Sequence, residues 1–594
     1  MASTPAVERG LLFKKPTPLV DEQGFMENLL EKLKHSLSLT LFHFYPLSGR
    51  LVTHKTQHPP FYAVFVDCTN NDGARFIHAT LDMAISDIFS PTDVPPIVHS
   101  LFDHHKAVNH DGHTIPLLSI QVTELVDGVF IGCSMNHVIG DGTSYWNFFN
   151  AWSQIFQAQD HDGIGVPIIS HPPIHKRWFP EGCDPLINLP FKHHDEFISR
   201  FEAPSLRERM FHFSAESIAK LKAKANAETN TTKISSFQAL SALVWRCITR
   251  ARRLPYNQRT SCKFATNNRT RMEPPLAQEY FGNSIHALCA GTATSGELLE
   301  NDLGWAAWKL HVAVANHNGE AVLQSLKEWL ECPLIYQLGR YFDPYCVMMG
   351  SSPRFNMYGN EFGMGKAIAV RSGYANKFDG KVTSYPGHEG GGSVDLEVCL
   401  SPCIMTALES DQEFIDAVSV SNPLTWHNRL CPCFFSSRFT NKTPHLLPPP
   451  LHLPPPPLQG CHHQCHHRRH RTPLPFSPPL AVGRQRRKLP LLIYIHGGAF
   501  ASAPLQPGLP QPPQRSLRLG QRRRGVGLLD GLELGEDELP GDATPVRSVT
   551  GSPTDVAASP KPTPPTKPPP PSPPPRLRRL LGKHASAPAF GPPR

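Results

Sequence analysis

Residues 117–157 read LLSIQVTELVDGVFIGCSMNHVIGDGTSYWNFFNAWSQIFQ, and this stretch has the clearest secondary-structure pattern of the chain. Residues 117–125 alternate as a strand does, residues 126–128 (VDG) form a tight turn, and residues 129–136 predict the returning strand. A helix is predicted to begin after Gly142, because large apolar side chains recur there every three to four residues. The residues on its predicted buried face are Tyr145, Phe148, Phe149, Trp152, Ile155 and Phe156.

Outward from this unit, helices and strands are predicted in both directions. Apolar residues spaced by one helical turn predict a helix within residues 21–50, and residues 60–66 predict a strand. Ser214 is a candidate N-cap. The mixed order of elements in both halves predicts two layered α/β domains. Further strands are expected at 209–214, 366–371 and 393–400, and further helices at 215–226, 236–252 and 300–331.

Composition divides the chain near residue 420. Of the 62 prolines, 37 follow residue 420. Residues 1–420 contain 35 Lys+Arg and 43 Asp+Glu, a net charge of −8, whereas residues 421–594 contain 23 and 7, a net charge of +16. The basic total therefore does not indicate a nucleic-acid binder, because the part expected to fold is acidic. Residues 421–594 are predicted to be a disordered, Pro/Arg-rich tail that results from a faulty gene model.

Local patterns argue against a secretory signal and against a membrane span. The N-terminal residues 1–16 (MASTPAVERGLLFKKP) lack the apolar region of a secretory signal. No run of about 18 apolar residues exists, so no membrane span is expected. The 14 cysteines lie mostly as single residues in apolar stretches, which favours reduced thiols over a disulfide scaffold. We therefore expect a cytoplasmic protein.

The strongest chemical signal is residues 136–142 (NHVIGDG), in which His137 precedes Asp141 by four positions. A neutral imidazole near pH 7 can take a proton from an attacking hydroxyl or amine. From the residues alone, His137 is either such a base or a structural histidine, and Asp141 either acts directly or pairs with an arginine. The same spacing recurs at His78/Asp82 and His99/Asp103. Of these three histidines, only His137 lies where a hairpin strand ends, a position at which clefts form.

Four segments together resemble the plant BAHD acyl-CoA-dependent acyltransferases. The first, residues 135–155 (MNHVIGDGTSYWNFFNAWSQI), resembles the signature of that family. The others follow in the family's order: residues 268–276 (NRTRMEPPL), 280–283 (YFGN) and 361–366 (EFGMGK). The resemblance covers roughly residues 10–420. Within the family, the chain resembles the group of uncharacterised or putative acetyltransferases.

This resemblance implies a mixed α/β fold of two chloramphenicol-acetyltransferase-like domains, residues 1–160 and 208–420, joined by a crossover loop, 161–207. A solvent channel would run between them, with acyl-CoA entering from one face and the acceptor from the other. His137 would be the general base. Asp141 would be structural, and its partner would be Arg269 or Arg271. Acyl-CoA would be a co-substrate, with no bound cofactor and no metal.

The resemblance also assigns supporting roles, and the chain departs from the family in three ways. Gly142 would let the chain turn after Asp141. Met364 replaces the family's tryptophan, which would remove an indole N–H donor for the developing oxyanion. Glu361 replaces an aspartate. The family usually begins with another strand and helix before residues 10–16, so the front is expected to be truncated. The residues that would shape the channel-supporting loop are Phe362, Gly363, Met364 and Gly365.

Weaker signals lie elsewhere in the chain. Residues 461–470 (CHHQCHHRRH) carry metal-ligand side chains without a folding unit between the pairs, so no zinc site is predicted. Residues 561–575 are proline-rich enough for polyproline II. Residues 488–500 (KLPLLIYIHGGAF) resemble a plant carboxylesterase oxyanion loop, but no Gly-x-Ser-x-Gly elbow follows. The candidates for a CoA-phosphate site or a solvated surface are Arg252, Arg253, Arg259 and Lys263.

The predicted function is transfer of an acyl group from acyl-CoA to a hydroxyl or amine of a small plant metabolite. We expect a monomeric enzyme with no nucleic-acid or membrane partner. Two alternatives stay open at this point. One is a lyase or other enzyme on the same scaffold, and the other is a ligand-binding relative without turnover.

Overall fold

The hairpin predicted at residues 117–136 lies at the centre of a mixed β-sheet. In the computed structural model, β5 (Leu118–Glu124) pairs antiparallel with β6 (Gly128–Met135), and Ile120 lies opposite Cys133. Nearly every residue of both strands is buried. The predicted hairpin is therefore confirmed.

The structure describes residues 4–17, 21–57, 61–69, 73–159, 169–180, 189–333, 335, 343–419, 470–473 and 488–490. All of these lie in Met1–Leu505, one of two units into which the chain divides; the other, Gln506–Arg594, lies outside the described residues. The α-helices of the described residues are α1 (Glu22–His43), α2 (Ile85–Phe89), α3 (Gly142–Ala158), α4 (Ala215–Glu228), α5 (Ser236–Ala251), α6 (Ser295–Glu300), α7 (Leu303–Asn316), α8 (Gly319–Glu331), α9 (Pro402–Leu408) and α10 (Gln412–Ala417). The strands besides β5 and β6 are β1 (Val7–Lys14), β2 (Arg50–Thr56), β3 (Phe61–Asp67), β4 (Arg75–Thr80), β7 (Arg207–Phe213), β8 (Arg259–Asn267), β9 (Ile285–Thr294), β10 (Cys346–Gly350), β11 (Ala369–Ser372), β12 (Lys381–Pro386), β13 (Val394–Leu400), β14 (His470–Pro473) and β15 (Lys488–Pro490).

Two six-stranded sheets organise the described residues, the first built mainly from strands of the first half of the sequence and the second from strands of the second half. The first has the order β11-β1-β6-β5-β4-β14, and the second has the order β7-β13-β12-β10-β8-β9. A third, smaller sheet has the order β15-β3-β2. Each large sheet mixes parallel and antiparallel pairs, for example parallel β4–β5 beside antiparallel β5–β6. The predicted mixed α/β fold is confirmed.

Helix α3 packs against the first sheet, and its aromatic face is buried there as predicted. Trp152 is fully buried, and its indole Nε1 donates to Ser36 Oγ on α1 at 3.0 Å. In the second half, α5 is buried along most of its length. Trp245 of that helix donates to Thr260 Oγ1 on β8 at 3.1 Å. Ser214 caps α4 as predicted, since its side chain accepts from the backbone N–H of Ser217.

One strand crosses between the halves. β11 belongs to the second half of the sequence but pairs antiparallel with β1, Arg9 lying opposite Ser372. The division at residues 1–160 and 208–420 does not anticipate this exchange. Local pattern predicts the pairing of β5 with β6 because a short turn joins them, whereas it cannot predict a partner 363 residues away.

Two short segments of the predicted disordered tail are strands in the structure. β14 pairs with β4, His470 opposite His78, and β15 pairs with β3, Lys488 opposite Asp67. These seven residues depart from the prediction because they extend sheet edges, where unpaired backbone groups accept an extra strand. The other residues of 421–594 lie outside the described residues, including most of the metal-like, proline-rich and esterase-like segments.

The described helices include none that is both long enough and apolar enough to cross a bilayer.

We predict that a chain ending after Ser419 keeps the melting temperature of the full chain, because β14 and β15 add only edge pairs. A chain ending after Ser410 should melt about 10 °C lower, since it loses α10 and the fully buried Phe414. Thermal unfolding followed by circular dichroism tests both. A large loss in the Ser419 chain would show that the tail carries part of the fold.

Candidate active site

A cavity of about 260 Å³ lies between the two halves of the chain, beside the end of β6. Its walls come from β1 and α3 of the first half and from β8, β9, β10 and β12 of the second. His137 is the one histidine among the described residues that line it. The predicted channel between two halves thus has a counterpart in the structure, with the predicted base in its wall.

The backbone of His137 is held from two sides. Its N–H donates to Asn109 Oδ1 at 2.8 Å, and its carbonyl accepts from Asn283 Nδ2 at 2.8 Å. The same Asn283 amide donates to the Val138 carbonyl at 3.1 Å. Asn283 comes from the second half of the sequence, so both halves position this histidine. Sequence reasoning gave neither asparagine a role: Asn283 lies in the family-like YFGN segment, whereas nothing in the sequence marks Asn109.

The His137 imidazole is partly buried in the cavity wall. Burial lowers the pKa of His137 below the usual 6.5, and the nearby Asp141 carboxylate opposes this shift. Its Nδ1 atom has no hydrogen-bond partner among the described residues. A lowered pKa keeps the imidazole neutral at pH 7, the form that can accept a proton.

Asp141 and Arg269 form an ion pair in which both side chains are 0% exposed. The guanidinium donates to the two carboxylate oxygens at 2.7 and 3.0 Å. The carboxylate also accepts from the backbone N–H of Ser144 at 3.0 Å, which caps α3, and from that of Ser284 at 2.9 Å. Asp141 does not line the cavity in the described structure. These contacts favour the structural alternative for Asp141 over direct action.

The same ion pair joins the start of α3 to residues 280–284. Arg269 also donates to the carbonyls of Tyr280 at 2.9 Å and Gly282 at 3.1 Å. The Ser144 hydroxyl donates to the Gly282 carbonyl at 2.9 Å and accepts from its N–H at 3.0 Å. Helix α3 is therefore fixed at its first turn by the second half of the chain.

Arg271, the other candidate partner of Asp141, lies elsewhere. Its guanidinium donates to the carbonyls of Val314 and His317 at the end of α7. Of the two alternatives, the structure selects Arg269. Sequence alone could not choose, because two residues in one 3₁₀ turn point in different directions.

Gly142 has a different reason to be glycine from the one predicted. It is the first residue of α3 and does not have a positive φ, so the turn does not require it. It lines the cavity instead, and a Cβ there would lie 3.3 Å from the Phe355 ring. The constraint is therefore space at the cavity wall.

The loop at 361–365 lies against α3, away from the cavity. Phe362 is fully buried, with its ring centroid 4.8 Å from that of Trp152 and 5.3 Å from that of Phe156. Gly363 and Gly365 both have φ of 74°, which favours glycine.

Met364 packs at the edge of the first core and is not among the described residues that line the cavity. This packing against the core gives no support to the expectation that Met364 costs the site an oxyanion donor.

Arg252 is not on a solvated surface. Its side chain is 3% exposed and donates to Asp379 at 2.6 Å and to the Cys346 carbonyl at 3.0 Å. Because that charge is already paired, Arg252 is a poor candidate for a CoA-phosphate contact.

The family model and the relatives that are similar in sequence point to the same protein family. Residues 5–415 match the model of the transferase family. The chain is 36% identical over 416 residues to an uncharacterized acetyltransferase of Arabidopsis thaliana, covering 69% of this chain and 90% of that protein. It is 32% identical over 426 residues to the BAHD acyltransferase DCR of the same plant, covering 69% and 85%.

Solved structures agree on the fold. TRI101 of F. sporotrichioides, crystallised with coenzyme A and T-2, superposes with a TM-score of 0.55 at 16% identity, covering 70% of this chain and 96% of that one. Vinorine synthase superposes with a TM-score of 0.51 at 19% identity, covering 70% and 91%.

We predict that Asp141→Asn lowers the free energy of unfolding by about 3–5 kcal/mol, because it leaves the Arg269 charge buried and unpaired. Denaturant unfolding measures this loss. The matched control is Glu216→Gln on α4, which breaks an exposed pair with Lys220 and should leave the unfolding midpoint unchanged. If Asp141→Asn unfolds like the wild type but loses turnover, Asp141 acts in the reaction itself.

Proposed function

The chain belongs to the BAHD family of acyl-CoA-dependent acyltransferases, and we propose that it acylates a hydroxyl or amine of a small plant metabolite with His137 as general base. One observation carries the proposal. The His137 imidazole lines a cavity shared by both halves of the chain, while Asp141 is turned away from that cavity into its pair with Arg269.

In the proposed reaction His137 takes the proton of the acceptor O–H or N–H. The acceptor atom then bonds to the thioester carbonyl carbon of acyl-CoA, and the tetrahedral oxyanion collapses with cleavage of the C–S bond. The imidazolium returns its proton to the departing CoA thiolate. The groups of this chain that hold the imidazole in place are the backbone bonds to Asn109 and Asn283.

Hydroxyl and amide groups in the cavity wall would orient the reacting atoms. Thr143, Asn267 and Thr383 line the cavity, and Asn267 Nδ2 lies 3.5 Å from Thr143 Oγ1. Such groups can donate to the carbonyl oxygen as its negative charge develops. Since Met364 packs elsewhere, the oxyanion donor is expected from this wall.

The same proposal places the enzyme in the cytoplasm as a monomer, with acyl-CoA as a co-substrate and no resident cofactor or metal. The nine cysteines of the described residues are all free thiols, which suits a reducing compartment.

We predict that His137→Ala lowers acceptor-dependent release of CoA by about 10²–10⁴-fold, because a positioned general base contributes that much. The melting temperature should stay near that of the wild type, since the contacts that hold this residue run through its backbone. A thiol assay of CoA release, with acetyl-CoA and a panel of alcohols and amines, measures the rate.

His78→Ala is the matched control, because His78 shares the His-x-x-x-Asp spacing but is absent from the cavity wall in the described structure. It should retain full turnover. Near-normal turnover of His137→Ala would remove His137 from the mechanism. Cleavage of an acceptor without CoA involvement would instead favour a lyase.

We also predict that the acidic limb of the kcat/KM profile lies below pH 6.5. The neutral imidazole is the active form, and burial lowers the pKa of His137, so protonation becomes significant only at lower pH. Initial rates between pH 5 and 8 test this. A limb centred above pH 6.5 would contradict the assignment, as would the same limb in the residual activity of His137→Ala.

A further inference from the structure

The cavity wall carries positive charge without negative charge. Three cationic side chains line it, Arg9, Lys377 and Lys381, and the described lining contains no aspartate or glutamate. None of these three residues carries a sequence signal that marks a site. Each of these charges is available to a ligand only if no carboxylate of the chain already pairs with it.

Lys377 is already neutralised. Its Nζ donates to carboxylate oxygens of Glu208, at 2.8 Å, and of Glu397. It also donates to Ser372 Oγ at 2.8 Å. All of these groups are buried, so this ammonium belongs to the internal ion network.

Lys381 has no such partner. The described residues give its ammonium no hydrogen bond and no ion pair, although the side chain is partly buried in the cavity wall. Its Nζ lies against Gly350, where a Cβ would come within 2.0 Å of it. Gly350 does not have a positive φ, so the backbone does not require glycine there. Because Gly350 has no side chain, the Lys381 ammonium can occupy the space beside it.

Arg9 adds a second charge near Lys381. Its guanidinium donates to the carbonyl of Glu8 at 2.6 Å and forms no ion pair among the described residues. Burial, followed by the charges of Arg9 and Lys377, lowers the pKa of Lys381 to about 7. A buried ammonium next to another cation is unfavourable until an anion enters.

We propose that Lys381, together with Arg9, binds a carboxylate carried by a substrate in the cavity, so that the enzyme selects an acidic acceptor or a dicarboxylic acyl group. This inference rests on the proposed acyl transfer and names its substrate class. A carboxylate fits because it supplies one negative charge and two acceptor oxygens to the two cations of this wall that form no ion pair among the described residues.

The test compares substrates that differ only in this charge. The acceptor pair is 4-(hydroxymethyl)benzoate and its methyl ester, both with acetyl-CoA. The donor pair is succinyl-CoA and butyryl-CoA, both with the methyl ester. The wild type should prefer the charged member of one pair by about 10- to 100-fold in kcat/KM, and Lys381→Met should abolish that preference. The pair that responds identifies which substrate carries the carboxylate.

Lys222→Met on the exposed face of α4 is the matched control and should keep the preference. Lys381→Gln repeats the test should the first variant misfold. The proposal is overturned if the wild type ignores charge in both pairs, or if the preference survives in Lys381→Met. It is also overturned if Lys381→Met raises KM for every acyl-CoA equally, since the cation would then serve the CoA phosphates.

A binding measurement separates this proposal from the acyl transfer. Calorimetry with 4-(hydroxymethyl)benzoate and, separately, with succinyl-CoA should show that at least one of them binds the wild type and binds Lys381→Met at least tenfold more weakly, even if no acyl transfer is seen. Equal binding of each ligand to both proteins would defeat the carboxylate site while leaving the acyl transfer intact.

Discussion

The buried pair of Asp141 and Arg269 is the constraint on which the site depends. Both side chains are fully enclosed, and an unpaired charge in such a place is strongly unfavourable. The pair is stabilised by further hydrogen bonds from its surroundings: two backbone N–H groups donate to the carboxylate, and two backbone carbonyls accept from the guanidinium. One partner comes from each half of the sequence. The halves must therefore dock in one register for either charge to be satisfied, and the cavity between them follows from that docking.

The position of His137 is a consequence of the same docking. The residue lies between β6 and the start of α3, and Asp141 fixes that start by capping the helix. Asn283 follows directly after the carbonyls that hold Arg269, and its amide donates to the His137 carbonyl. A shift of the 280–284 segment would therefore move the imidazole relative to the opposite wall. Catalytic geometry is sensitive to displacements of this kind, which explains why a residue without contact to the cavity can matter for the rate.

Local sequence pattern predicted most of the secondary structure around the His137 motif, but few of the contacts between residues that are far apart in sequence. The hairpin, α3 and the Ser214 cap could be predicted because each depends on residues close in sequence. The pairing of β11 with β1, and the support of His137 by Asn109, depend on residues far apart and of ordinary type. The resemblance narrowed the partner of Asp141 to two arginines, and only their orientation could decide between them. The place of the Met364 side chain could not be predicted for a similar reason: a motif gives an order of residues, whereas packing sets the direction in which each side chain points.

The 361–365 loop shows how a segment can serve the site without touching the cavity. Ser153 near the end of α3 exchanges hydrogen bonds with the backbone of Glu361, at 2.9 and 3.1 Å, and Phe362 packs between the aromatic rings of the same helix. Helix α3 is thus bound to the second half at its first turn through Arg269 and near its last turn through Glu361. Because both contacts with Glu361 run through its backbone, a carboxylate one methylene longer than the family's aspartate leaves them unchanged. The two attachments keep α3, and with it the His137 side of the cavity, aligned with the opposite wall that carries Lys381.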